Sequence, residues 1–164
     1  DEMTEVYNRR AGFEKLSKLY KNATIRSCII SICFIDINGL KDVNDALGHE
    51  VGDELILSVV SGIKRNTREN DFIARLGGDE FLIILEGLDE NKSEEIWNRI
   101  VDNYNNVNET ENRKYLISVS HGIESFRCDS NQYIDAIVNR ADEKMYSEKR
   151  QIKKDLKVLR NIEK

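Results

Sequence analysis

Residues 28–35, Cys28-Ile29-Ile30-Ser31-Ile32-Cys33-Phe34-Ile35, are almost continuously apolar and rich in β-branched side chains. That pattern lacks the alternation of a half-exposed strand and predicts a central strand covered on both faces. Such a strand needs helices above and below it and further strands beside it, which confines the chain to a layered α/β architecture. The run stops at Asp36. A carboxylate at the end of a core strand costs several kcal/mol or shifts its pKa unless something compensates it.

The flanking segments supply the layers. Phe13, Leu16, Leu19 and Tyr20 recur at helical spacing from Asn8 onward. A short segment, residues 39–47, is followed by a stronger helix with Leu55, Ile56, Val59, Val60 and Ile63 on one face, and Gly48 and Gly52 punctuate the join. Residues 71–86 read as two strands meeting at Gly77-Gly78, where paired glycines are expected to supply the positive φ angles of a tight hairpin turn. Ile96, Trp97, Ile100, Val101 and Tyr104 predict another helix, with the Asn-rich stretch 103–112 as its exit loop and residues 115–123 as the next strand. Ile134, Ile137, Val138, Ala141 and Met145 line a last helix that runs into Lys149-Arg150-Gln151-Ile152-Lys153-Lys154. Helices and strands in this order predict a mixed central sheet flanked by helices, of the α/β (α+β) class.

At 164 residues the chain is expected to be a single domain, 1–164. A unit of this size buries roughly 70 % of its unfolded surface and needs no metal or disulfide merely to stay folded, so a metal would serve function. The longest apolar stretch, residues 28–37, is about half of the roughly 20 residues that a membrane span requires, and no membrane contact is expected. A net charge of −5 speaks against broad binding to a nucleic-acid backbone, so no DNA partner is expected either. The 3 cysteines lack zinc-type spacing and predict reduced thiols in a cytoplasmic setting. A start at Asp1 reads as a piece of a longer protein with a regulatory region ahead of it.

Asp79 and Glu80 follow the glycine pair directly. If the hairpin lies beside the strand that ends at Asp36, two carboxylates about 4 Å apart would repel by roughly 4 kcal/mol at an effective dielectric of 20. A divalent cation removes that penalty. Oxygen donors without His or Cys select Mg²⁺ or Mn²⁺, and Mg²⁺ with few protein ligands usually shares its shell with substrate phosphates. The plainer alternative makes Asp36 a cap and Asp79 and Glu80 solvated turn residues, and spacing alone leaves both open.

The string Arg75-Leu76-Gly77-Gly78-Asp79-Glu80-Phe81 resembles the signature of the diguanylate cyclase, or GGDEF, family. Five other segments agree in order: residues 1–10; Phe34-Ile35-Asp36-Ile37-Asn38 through Lys41, Asn44-Asp45, Gly48-His49 and Gly52-Asp53; residues 118–123; Ala141-Asp142 to Tyr146; and Lys149. The resemblance implies condensation of two GTP into cyclic di-GMP with release of two pyrophosphates, on a fold similar to nucleotidyl cyclases and polymerase palms. It implies metal ligation by Asp36, Asp79, Glu80 and the Ile37 carbonyl, with Glu80 alternatively deprotonating the attacking 3′-hydroxyl. It further implies Asp79, Glu80 and Lys41 as catalytic residues. Asn44 and Asp53 would read the guanine edge, Lys41, Lys149 and Lys153 would contact phosphate, and the Gly39-Leu40 backbone would cradle it. Arg68-Glu69-Asn70-Asp71 reproduces the pair that binds product at an inhibitory site, against the alternative of an ordinary salt bridge.

The resemblance further implies a homodimer, because one domain holding one GTP cannot close the ring. Departures from the family pattern are Glu5 for a glycine, Asn38 for a second aspartate, Gly39-Leu40 for a bulkier pair, His121 for an isoleucine and Ile152-Lys153 for Gly-Arg. Two other readings stand beside the cyclase: a catalytically weak module that senses cyclic di-GMP or GTP, and a dinucleotide cyclase with relaxed base choice.

Overall fold

The computed structural model describes residues 1–26, 28–129 and 131–160. In chain order the elements are β1 (Tyr7–Asn8), α1 (Arg9–Arg26), β2 (Ile29–Ile37), α2 (Leu40–Leu47), α3 (His49–Asn66), β3 (Phe72–Arg75), β4 (Glu80–Glu86), α4 (Glu90–Thr110), β5 (Val119–Arg127) and α5 (Ile134–Ile152). The strands form one mixed sheet in the order β1-β3-β4-β2-β5. β2 is antiparallel to both β4 and β5, and β1 is parallel to β3.

The strand expected from the apolar run lies near the middle of the sheet, and every residue from Ile30 to Ile37 is buried. Its side chains alternate between two cores, as a period of two requires. Cys33, Ile35 and Ile37 pack with Leu55, Val59, Ile63, Trp97 and Ile100 of α3 and α4. Ile30, Ile32 and Phe34 pack with Leu16 of α1 and Ile137, Val138, Ala141 and Met145 of α5. Parity therefore assigns Asp36 to the face that α5 covers.

Gly122 sets how closely α5 approaches that face. A Cβ there would meet the Ala141 carbonyl oxygen at 2.1 Å and the Met145 nitrogen at 2.4 Å. Only a residue without a side chain lets the helix backbone rest directly on β5.

Three sequence expectations are corrected. The glycine pair joins two strands, but positive φ occurs at Gly39, Gly48 and Gly87 and not at Gly77 or Gly78. The connection is a four-residue loop, 76–79, closed by a hydrogen bond from Leu76 N–H to Glu80 O at 2.8 Å, so no two-residue turn is needed. The stretch 103–110 is helix rather than exit loop. Tyr104 is buried and donates to Val59 O at 2.8 Å, and Asn108 bonds both N–H and C=O of Ile117, so tertiary contacts override weak helix propensity there. The strand expected over 115–123 is shifted to Val119–Arg127, while Tyr115 makes an isolated bridge with Leu159. Among the described residues no helix is long and apolar enough to cross a membrane. No disulfide joins Cys28, Cys33 and Cys128, and burial pushes Cys128 up to about 11.

Candidate active site at the end of the central strand

The β3–β4 hairpin lies beside β2, and its loop reaches the strand's end. Asp36 is in register with Glu80, and Ile37 N–H donates to Asp79 O at 2.9 Å. Those two contacts bring Asp36, Asp79 and Glu80 into one acidic cluster. On the α5 side Lys149 Nζ donates to Asp36 Oδ1 at 2.7 Å, and the Asp36 side chain is only 6 % exposed. Burial first, then the carboxylates of Asp79 and Asp142, hold Asp36 above the ordinary carboxylate range even though the Lys149 ammonium pulls it down. Glu80 is likewise raised, chiefly by burial and then by Asp79, Asp36 and Asp142.

The donor set fits a hard divalent cation: carboxylate oxygens with mutual repulsion to relieve, and no sulfur or imidazole among them. Among the described residues no group of three or more His, Cys, Asp or Glu side chains is placed so as to hold a metal ion by itself. Asp36, Asp79 and Glu80 are the carboxylates that could ligate an ion here if substrate or water supplied its remaining ligands, the habit of Mg²⁺ beside phosphates.

Arg75 braces the loop. Its Nε donates to Gly77 O at 3.0 Å and its Nη2 to Gly78 O at 2.9 Å, while Nη1 lies 3.3 Å from both carboxylate oxygens of Asp1. Gly78 has no heavy atom within 4 Å of where a Cβ would stand, so the loop backbone is open to close approach by a ligand.

The remaining candidates lie at varying remove. Gly39, at φ +71°, begins α2, and Leu40 is turned into the core. A Cβ on Gly52 would meet Asn44 Oδ1 at 1.8 Å, so the Asn44 amide lies directly over Gly52 and one residue from exposed Asp53. Asp53 lies beyond the first turn of α3 and is not its cap. Lys41 is exposed and pairs with Asp45 at 3.2 Å, and Lys153 is exposed at the C-terminal end of α5.

Arg68 and Asp71 form a separate centre at the far end of β4. Arg68 grips Asp71 with Nε and Nη2 at 3.1 and 2.9 Å, and Nη2 also donates to Glu86 O at 2.7 Å. Asp71 is fully buried at its side chain while Arg68 is 52 % exposed. Six strand steps of ~3.4 Å between Glu80 and Glu86 put this pair about 20 Å from the acidic cluster.

Asp142 and Arg75 were given no site role by sequence reasoning. Both stand inside matched segments, and that placement is the only signal that could have singled them out. A surface groove of about 890 Å³ opens elsewhere, between α2 and residues 156–160. Charge rather than concavity marks the site.

Residues 1–155 match the family described as diguanylate cyclase, GGDEF domain. The chain belongs to that family. The bifunctional diguanylate cyclase/cyclic di-GMP phosphodiesterase MucR of Pseudomonas aeruginosa is 32% identical over 151 residues, 92% of this chain and 22% of that protein. The probable diguanylate cyclase DgcC of Escherichia coli is 29% identical over 92% of this chain and 40% of its own length. The chain thus spans well under half of these curated relatives. Among solved structures, the GGDEF domain of DgcB from Caulobacter crescentus, in complex with c-di-GMP, superposes with a TM-score of 0.82 at 27% identity, covering 92% of this chain and 90% of that one. The diguanylate cyclase SiaD of P. aeruginosa, in complex with its activator SiaC, gives 0.83 at 25% identity over 92% and 58% of the two chains. As in those GGDEF domains, the signature residues of this chain are carried by a mixed sheet flanked by helices.

Proposed function

We propose that this GGDEF domain condenses two GTP into cyclic di-GMP, releasing two pyrophosphates, with two copies of the chain each holding one nucleotide. The observation that carries this reading is the union of Asp36, Asp79 and Glu80 at the end of β2, with Lys149 against Asp36. A fold needing stability alone would gain nothing from burying Asp36 and half-burying Glu80 beside further carboxylates, so that burial first and their neighbours second raise both. A triphosphate site would.

In each half-reaction a 3′-oxygen forms a bond to the α-phosphorus of the nucleotide on the facing copy, and the bond from that phosphorus to the pyrophosphate oxygen breaks. Glu80, raised by burial and then by its neighbouring carboxylates, is suited to accept the 3′-hydroxyl proton. Lys149, Lys41 and Lys153 supply positive charge for the triphosphate, and the backbone N–H groups at Gly39 and Leu40 open helix α2, where an anion is favoured. A bound Mg²⁺ or Mn²⁺, held by Asp36, Asp79, Glu80 and the Ile37 carbonyl, would offset charge on the leaving pyrophosphate. Asn44 of α2 lies over Gly52, the residue before Asp53 of α3, and a carboxylate accepting from two guanine N–H groups would discriminate against adenine. Rate then comes from positioning and electrostatics.

Product binding at Arg68 and Asp71 is supported by their distance from the acidic cluster and by the half-exposed guanidinium, and the DgcB relative is a complex with cyclic di-GMP. The test is direct. Purified domain with GTP and Mg²⁺ should release two pyrophosphates per cyclic di-GMP identified by mass spectrometry, with a rate that rises more steeply than linearly with protein concentration. Binding of cyclic di-GMP or GTP without turnover would assign the chain to the sensor class instead.

A further inference from the structure

β5 is an edge strand, and His121 stands in it opposite Ile35 of β2. Its ring stacks on Trp97 of α4, with centroids 4.5 Å apart and planes 18° from parallel. Nε2 lies 2.9 Å from Glu94 Oε2 of α4, and Nδ1 lies 2.9 Å from Glu148 Oε2 of α5. The His121 backbone N–H donates to that same Glu148 oxygen at 2.5 Å. One residue therefore clasps the helices on the two faces of the sheet around its free edge. This is the position where the resembled family has isoleucine.

A neutral imidazole has one N–H, so hydrogen bonds to two carboxylates at once require the imidazolium. Burial opposes that charge, but Glu148 and Glu94 outweigh it and His121 titrates above its ordinary value. From β2, buried Cys33 faces the same two glutamates, and its thiol is raised well above its ordinary value by burial and then by them. Trp97 contributes no charge.

Glu148 immediately precedes Lys149, and neighbouring helix residues leave the axis ~100° apart. Fixing Glu148 on the edge of β5 thereby fixes the direction in which Lys149 points. We propose that His121 is a positioning residue which, through Glu148, holds the last turns of α5 so that Lys149 stays against Asp36 and the triphosphate. The inference rests on the reading of Lys149 as a phosphate-binding residue. Loss of the His121 proton leaves one carboxylate facing a lone pair, loosens the clasp and releases Lys149.

Two readouts test it in the full chain. The first is the side-chain ¹⁵N resonance of Lys149, which needs no nucleotide. An ion-paired ammonium exchanges slowly, so the resonance is expected near pH 6 in the wild type. It should weaken as pH rises through the His121 titration and at all pH values in His121→Gln, both of which leave the residue-121 backbone N–H on Glu148, and be lost at all pH values in Glu148→Ala. Glu148→Gln, which keeps an acceptor for the His121 backbone N–H, is expected to restore it partly. The second is steady-state kinetics: both clasp variants should raise KM for GTP about threefold or more with kcat within about twofold, and the pH dependence of KM seen in the wild type should flatten. A Lys149 resonance and KM unchanged in folded variants would overturn the proposal. A resonance that behaves as expected, in a chain that shows no GTP turnover, would retain the clasp and refute the cyclase reading.

Discussion

Asp36→Asn should raise the stability of this domain at pH 7 while destroying its cation-dependent chemistry. The wild-type carboxylate is nearly buried and lies 2.7 Å from the Lys149 ammonium, an attraction of ~6 kcal/mol at an effective dielectric of 20. Removing the carboxylate from water costs several kcal/mol, and Asp79 and Asp142 add repulsion. The balance falls against the charge, because the Asp36 pKa is raised despite Lys149. An acid whose folded pKa is raised binds more protons in the native state than in the unfolded chain. Stability is therefore lost as pH rises from the ordinary value of 3.8 through the raised one, and stays lost above it. Asparagine keeps an oxygen for the Lys149 bond and removes the charge, and Lys149 is 34 % exposed, so its ammonium retains water. The expected gain is about 1 kcal/mol, or roughly 2–4 °C in Tm for a chain of this size. Thermal melts of wild type and variant between pH 4 and 8 measure it, and the gain should shrink toward pH 4. Mg²⁺ with GTP should raise Tm in the wild type and not in the variant. A variant that melts several degrees below wild type at pH 7 would show that the carboxylate stabilises the fold, and would refute the argument.

Three more outcomes are expected. Glu5 sits at φ 55°, where the resembled family has glycine, and the left-handed conformation costs an L side chain roughly 1–2 kcal/mol, so Glu5→Gly should raise Tm by a few degrees in calorimetry. Arg68→Ala should abolish inhibition by added cyclic di-GMP in a pyrophosphate-release assay, and should also cost about 2 kcal/mol in urea denaturation because buried Asp71 keeps only its backbone donors, the N–H groups of Arg68 and Glu86. Asp53→Ala should lower kcat/KM for GTP relative to ATP by tenfold or more in competition assays, since one polar partner of the base edge is worth about 1–3 kcal/mol.

How much of this was legible in the sequence follows from the range of each interaction. The central strand was readable because burial on both faces writes itself as a continuous apolar run, and the hairpin because two such runs flank Gly77-Gly78. The turn chemistry was not, since a four-residue loop held by Leu76 and Arg75 needs no positive φ. The end of α4 was hidden by its asparagines, whose helical conformation depends on Tyr104 and Asn108 meeting residues in α3 and ahead of β5. The pairing of Lys149 with Asp36 joins residues 113 positions apart, and no local pattern announces it. Its identity came from the family resemblance and its geometry from the fold. Charge placed where a core strand ends left a metal site and solvated turn residues both open. The metal roles of Asp36, Asp79 and Glu80 came from the family resemblance, and the register of β2 with β4 sets Asp36 beside Glu80. Asp142 and the clasp at His121 depend on how α5 lies over and around β5, which Gly122 permits and no short motif records.

The central claim is that these carboxylates exist to hold a divalent ion against a triphosphate. Electron paramagnetic resonance of Mn²⁺ titrated into the domain with a non-hydrolysable GTP analogue tests it most directly. One tightly bound Mn²⁺ per nucleotide, absent in Asp36→Asn and Asp79→Asn, is the predicted result. Equal Mn²⁺ binding in wild type and both variants would contradict it.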